Sequence, residues 1–193
     1  MFELPLPEPQ LRDGHVLLRP WSNDDVPAIV AACQDQSIAR WSPVIPYPYA
    51  DSDARGWLDS QEPTRAAGEG LDLAIVHTET SAVLGAIGIS NVSMTLLSAE
   101  VGYWLAADAR GHGYMTQALR LLAPWVFDEL GLARLQLLTD PENAPSRRVA
   151  ERCGFTQEGH LRSHMRIRHS GQRRDSLIYG LLPGELRDSP ETG

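Results

Sequence analysis

The 193-residue sequence contains no lysine; all 17 of its basic residues are arginine. This excludes a lysine Schiff base and the lysine of a phosphate-binding P-loop. Cysteine is nearly absent too, with only Cys33 and Cys153. Two thiols cannot build a disulfide framework or a four-thiolate zinc site. Both lie in helix-like segments and read as small buried apolar residues. No apolar run is long enough to cross a bilayer, and no basic-then-apolar leader opens the chain. The sequence therefore reads as a soluble protein of a reducing compartment, the cytoplasm. Positive charge is scarce overall, with a formal net charge of −8. That balance disfavours extended binding to a nucleic-acid backbone. It suits a cationic or amine-bearing partner, although net charge speaks first to solubility.

What is present is an ordinary globular composition, 42% hydrophobic and 22% charged. It suffices for one core in one domain. Residues 1–10, rich in proline, read as an extended lead-in, residues 11–182 as the domain, and residues 183–193 as a polar tail. Hydrophobic periodicity predicts strands near 16–19, 71–76, 83–89, 99–105, 134–139, 160–167 and 175–182. Helices are expected from a cap at Ser22, Asn23 or Asp24 to about 35, then over 52–60, 115–130 and 146–153. Pro124 is expected to kink the third helix. Gly131 and Gly154 are expected at left-handed stops. The order β-α-α-β-β-β-α-β-α-β-β is a single mixed α/β domain.

Residues 110–119, RGHGYMTQAL, join a strand to a helix through two closely spaced glycines. Glycine lets the backbone turn and approach a ligand. A helix N-terminus offers unpaired N–H groups and partial positive charge. Arg110 adds charge-assisted donors and Thr116 a hydroxyl. The stretch reads as an anion site or as a plain glycine turn into a helix. The P-loop pattern fails for want of lysine. The dinucleotide pattern GxGxxG fits poorly, because Thr116 stands at its third glycine position.

A third pattern fits. Arg110-Gly111-His112-Gly113-Tyr114-Met115 resembles the pyrophosphate motif Gln/Arg-x-x-Gly-x-Gly/Ala of the GNAT superfamily of acyl-CoA-dependent N-acyltransferases. Met115 departs from the small residue at its last position. The likeness is to the ribosomal-protein N-terminal acetyltransferase branch, the RimJ/RimL-like group. It extends through HVLLRPWSNDD, AEVGYWL, ENAPSRRVAERCGFTQEGHLR and HSGQRRDSLIYGLL, in order, over residues 11–182.

The resemblance implies a mixed, mostly antiparallel sheet that splays between its fourth and fifth strands, here residues 99–105 and 134–139. The pantetheine arm of acetyl-CoA, or of another acyl-CoA, enters that split like an extra strand. Its pyrophosphate lies on Arg110, Gly111, His112, Gly113, Tyr114, Met115 and Thr116. Backbone groups of Trp104 and Leu105 bond its amides, and Asn143 holds the arm. Many family members place a proton-donating Tyr where this chain has Ala150. Ser146 is the residue the RimJ/RimL-like branch offers instead. Asn143 and Ser146 read equally as a turn residue and a helix cap. Glu100 is the candidate base, acting through water, or else a carboxylate that sets only the local electrostatics. Trp41, Tyr47 and Tyr49 border the acceptor site, or serve as core or lid.

His160, His164 and His169, spaced by four and five, fall on mixed faces of a strand and are not expected to bind metal. His15 and His77 read as surface residues. The resemblance thus implies acetyl transfer to a primary amine, either a protein N-terminus or a small molecule. Family members are often dimers, so a homodimer is open. Succinyl or another acyl group, or a non-catalytic acyl-CoA-binding module, are the alternatives.

Overall fold

The computed structural model describes residues 2–167 and 170–187. Its single sheet has eight strands in the order β1-β2-β3-β4-β5-β6-β8-β7. They are β1 (Leu11–Asp13), β2 (Val16–Arg19), β3 (Leu71–His77), β4 (Val83–Ser93), β5 (Ser98–Leu105), β6 (Arg134–Thr139), β7 (Thr156–Arg166) and β8 (Arg173–Leu181). Five α-helices accompany them: α1 (Val26–Cys33), α2 (Gln36–Trp41), α3 (Asp51–Ala66), α4 (Tyr114–Asp128) and α5 (Ala144–Arg152). Strands β5 and β6 are parallel, since α4 forms the crossover between them; the other neighbouring pairs are antiparallel.

Alternation along the strands sorts side chains between two layers. Leu71, Leu73, Ile75, Ile87, Ile89, Ala99 and Val101 share one core with Ala118, Leu119, Leu122 and Val126 of α4. The opposite face meets α1 and α3 through a second cluster of Val26, Ile29, Cys33, Tyr49 and Ala54, joined by Trp21, Trp57 and Trp104. Asp25 ties the start of α1 to β2. Arg19 donates two hydrogen bonds of 2.8 Å to its carboxylate, and the Ser22 N–H donates a third at 2.9 Å. Burial opposes ionisation of Asp25, but these donors together hold its carboxyl below the usual range. Both cysteines are buried and free. Burial pushes the Cys33 thiol up to about 12 and Cys153 up to about 11.

Several elements differ from the sequence reading. A short strand, β1, pairs with β2 where only extended chain is expected. The splayed strands are therefore fifth and sixth in chain order, not fourth and fifth. Helix α2 lies where the sequence reading assigns no element, just after its first helix; Asp35 starts it by accepting from the Ser37 N–H at 2.9 Å. Helix α3 runs on through Pro63 to Ala66, past the expected end near residue 60, whereas α4 holds Pro124 inside it as expected and ends at Asp128. Gly131 and Gly154 have positive φ as expected, 68° and 96°. Phe155 turns back on α5, donating its N–H to the Ala150 carbonyl at 3.0 Å.

Candidate active site

The parallel pairing of β5 with β6 lasts three residues: Ser98 with Arg134, Ala99 with Leu135, and Glu100 with Gln136. Beyond Glu100 the strands part, at the place expected from the sequence. The Ala106 N–H donates to the Leu84 carbonyl at 2.9 Å. In an alternating antiparallel ladder, Gly102 and Trp104 then also direct their main-chain groups to β4. Val101, Tyr103 and Leu105 direct theirs into the opening. Trp104 is therefore corrected: its main chain faces β4, and it contributes its ring, stacked 6.4 Å from Trp21. A strand edge with unpaired amides accepts an extended chain that carries its own amides.

The glycine loop closes the end of this opening. Gly111 and Gly113 have φ of 84° and 82°, and Gly113 caps α4. A Cβ on either would meet no atom within 4 Å, so the close approach they allow is to something outside the chain. Among the described residues, the N–H groups of Gly111, His112 and Gly113 reach no backbone acceptor. Those of Tyr114, Met115 and Thr116 are the orphan donors of the first helical turn. Met115 is 5% exposed and packs into the core, so its bulk points away from the loop surface. Arg110 is placed differently from the expectation. Its guanidinium donates to the Leu105 carbonyl at 2.8 and 3.1 Å and to Ser37 Oγ at 2.9 Å, and pairs with Asp35 at 2.8 Å. It braces α2 against the loop, and it occupies the Leu105 carbonyl.

Ser146 and Asn143 converge at the other wall. Asn143 is the α5 cap, its Oδ1 accepting the Ser146 N–H at 3.3 Å. Ser146 is therefore inside the first turn, and its hydroxyl is free for another partner. That partner is the Tyr103 hydroxyl, 3.1 Å away. Burial pushes the Tyr103 phenol well above its usual range, so it stays protonated. Ala150 is fully buried in the main core. Tyr103 thus brings to the split a hydroxyl that α5 lacks at that position. Sequence reading missed it; the available signal is its odd-numbered place on β5, on the side of the split.

A cavity of about 1190 Å³ joins the split to the face beneath α1 and α3. Glu100, Gly102, Tyr103, Asn143 and Ser146 line it together with Trp41, Tyr49 and Trp57. Glu100 accepts from Asn91 Nδ2 at 3.3 Å. Tyr49 is 6% exposed and serves both the second core cluster and the cavity wall. Trp41 lies under the guanidinium groups of Arg40 and Arg174, at 4.5 and 5.7 Å. Tyr47 is corrected: it is 40% exposed and is not part of the cavity lining. Asp72 of β3 also lines the cavity, and burial pushes its carboxyl up to about 6. The signal for it was one acid inside the apolar run Leu-Asp-Leu-Ala-Ile-Val.

Among the described residues, no cluster of histidines, cysteines and carboxylates is arranged to hold a metal ion. His160 pairs with Asp175 at 2.8 Å and His164 contacts Ser176 Oγ at 3.2 Å; His169 lies outside the described residues. His15 and His77 are more than surface residues. They stack at 5.5 Å, His77 meets Tyr114 edge-on at 5.9 Å, and Tyr114 meets His112 at 5.5 Å. The row runs along the glycine loop.

Residues 15–156 match the domain family described as Acetyltransferase (GNAT) domain. YdaF of Bacillus subtilis (strain 168) is 36% identical over 116 residues, 60% of this chain and 61% of that protein, so the match spans less than two thirds of that relative. The ribosomal-protein-serine acetyltransferase of Escherichia coli (strain K12) is 32% identical over 80 residues, 42% of this chain and 45% of that one. Among solved structures, Mycobacterium smegmatis RimJ in complex with CoA-disulfide superposes with a TM-score of 0.81 at 28% identity. That superposition covers 90% of this chain and 85% of the other.

Proposed function

The chain belongs to the GNAT family of acetyltransferases, and on that premise we propose that it transfers an acetyl group from acetyl-CoA directly to a primary amine. The observation that carries the reading is the glycine loop, with its unclaimed N–H groups, at the end of a strand pair that separates after three residues. The loop, residues 111–116, suits a pyrophosphate, and the edge of β5 suits the amides of the pantetheine arm. Asn143 retains its side-chain N–H₂ to donate to that arm, since its Oδ1 is used as a cap.

The proposed chemistry divides among three groups. A main-chain N–H of β5 facing the split stabilises charge on the thioester oxygen. Glu100, through water, removes the proton that the amine must lose before or during attack. As the C–N bond forms and the C–S bond breaks, the leaving thiolate takes a proton from Ser146, which the neutral Tyr103 hydroxyl backs at 3.1 Å. Both cysteines are buried with raised thiol pKa, which favours direct transfer over an acyl-cysteine. The proposed acceptor is the α-amine of a protein N-terminus, which the names of the ribosomal-protein relative and of RimJ support. An α-amine, with pKa near ~8, also needs less help from a base than a lysine amine near ~10.4.

A thermal-shift titration with acetyl-CoA, succinyl-CoA, ATP and NAD tests this, followed by thiol release in the presence of Ser- and Ala-initiated peptides and of polyamines. At a hundred times its Kd a ligand specific for the folded state adds ~2.7 kcal/mol. Stabilisation by acetyl-CoA, with peptide-dependent thiol release, is expected. Stabilisation by ATP or NAD alone would remove the reading at its base. Ala150 favours one second reading, a non-catalytic acyl-CoA-binding module, for which the esters would bind and no amine would release thiol.

A further inference from the structure

The mechanism above leaves unused a half-buried carboxyl group that lines the cavity. Asp72 lies on β3, paired with Gly88 of β4, which pairs in turn with Gly102 of β5. These three positions form one row on the sheet face covered by α1 and α3. The carboxylate leans along that row. A Cβ on Gly88 would overlap Asp72 Oδ1 and come within 2.8 Å of its Cγ. At Gly102 a Cβ would meet nothing within 4 Å, so the row stays open up to β5. Overhead, Gly56 of α3 lines the same cavity and likewise has open space at its Cβ position. Three missing side chains thus clear a passage from the acid to the strand where the acyl group is proposed to sit. With strands ~4.8 Å apart, a carboxylate over β4 is one strand spacing from that site.

Asp72 has no hydrogen bond or ion pair among the described residues. The other carboxylates of this face are engaged, Asp53 with the Ala50 N–H at 2.8 Å and Glu100 with Asn91. The other ionisable groups along the cavity are Cys33, Tyr49, Tyr103, Arg110, His164 and Arg166. None of them contributes to the raised carboxyl of Asp72; burial alone does. Half-buried on the cavity wall, this unpartnered acid is placed to receive a ligand that supplies the counter-charge.

We propose that Asp72 is the seat of the acceptor's ammonium group, which it binds over Gly88 and Gly102 before the amine is deprotonated, so that it selects cationic primary amines. The proposal deepens the acyltransferase reading and rests on it for the identity of the acceptor. Asp72 is here a binding residue, and the proton still leaves through Glu100.

The test uses n-butylammonium as probe and n-butanol as its neutral control. The 13Cγ resonance of Asp72 is titrated from pH 4 to 8 in the full chain, with and without each probe. The expected midpoint near 6 falls by at least one pH unit with saturating n-butylammonium and does not move with n-butanol. Asp72→Asn should weaken n-butylammonium binding at least tenfold while the Kd for acetyl-CoA, measured by calorimetry, changes less than twofold. Its melting curve reports whether it folds. An Asp72 resonance indifferent to the amine, or an Asp72→Asn variant that binds it equally well, overturns the proposal. Loss of acetyl-CoA binding in the wild type, with the amine response intact, overturns the acyltransferase reading and leaves the ammonium seat standing.

Discussion

The Ser146 and Tyr103 hydroxyls lie 3.1 Å apart, the Tyr103 hydroxyl also reaches the Ser146 carbonyl at 3.3 Å, and their order of importance can be separated. Ser146→Ala removes the proposed proton donor to the leaving thiolate and should lower kcat by roughly 10²-fold with little change in the acetyl-CoA KM. Tyr103→Phe keeps the ring and removes only the backing hydroxyl, so its kcat loss should be smaller, about tenfold. Steady-state kinetics on both variants checks the order; equal losses would place the proton donor on Tyr103. Asp72 makes a second prediction, of stability. Its folded carboxyl is raised to about 6 from 3.8. A raised acid is destabilising once ionised, so the fold loses stability as pH rises from about 3.8 to 6 and is then constant. Asp72→Asn should therefore melt several degrees higher than wild type at pH 7, by on the order of 2 kcal/mol. Below pH 4 the difference should vanish. Melting curves at pH 3.5 and 7 decide it, and a variant less stable at pH 7 would show an unseen stabilising partner for the acid. The two residues differ in how they could be read from the sequence. Ser146 is legible through the Asn-x-x-Ser spacing that the family shares. Asp72 carries a local signal, one acid inside an apolar run, but its place beside the split depends on which strands flank β4, and that pairing is not local.

Helix starts carry much of the site, and each start uses a different device. Gly113 begins α4 from a left-handed conformation, with open space around it. Gly113→Ala should cost ~1–2 kcal/mol in the protein without ligand, from backbone strain. It should also weaken acetyl-CoA binding well beyond a strain that is the same with and without ligand. Comparing melting points with acetyl-CoA calorimetry separates the two effects. Asn143 begins α5 with its side chain. Asn143→Ala should lose ~1 kcal/mol of stability and also cofactor affinity, whereas Asn143→Asp should keep the cap and lose the N–H₂ donor. If Asn143→Asp binds acetyl-CoA as wild type does, the residue is a cap alone. The glycines, the Asn and the strand before them were legible because each works through main-chain geometry within a few residues. Helix α2 was not, because it is only six residues long, and Arg110 clamps its start from 75 positions further along the chain. Such a clamp has no local signature.

At the scale of the whole molecule, the seven longer strands followed from hydrophobic alternation, and β6 appeared with the limits the pattern gave, but the division into two core clusters did not. Short β1 did not, because three residues carry too little periodicity to separate a strand from extended chain. The two layers hold unlike tasks. The α4 layer supplies the main core, while the α1 and α3 layer encloses the cavity with glycine and aromatic residues. Among the described residues, the ion pair of half-buried Arg19 with buried Asp25 fixes the start of α1 to the sheet. Asp25→Ala should destabilise the fold by ~1.5–3 kcal/mol, since it removes the charge-assisted bonds from Arg19, which keeps only the Pro20 carbonyl and solvent. Denaturant melts at pH 7 measure this, and a loss under 1 kcal/mol would mean that solvent already reaches the pair.

The three-residue union of β5 and β6 has a mechanical meaning. Strands β1–β5 and β6–β8 are two plates, joined edge to edge by a short weld and by the chain that crosses through α4. A molecule lying in the gap lengthens the weld. The empty protein should therefore flex about this seam, and a filled one should behave as a single plate. Amide hydrogen exchange at Val101, Tyr103 and Leu105 would read the difference directly, and slow exchange there in the empty protein would mean the seam is already closed.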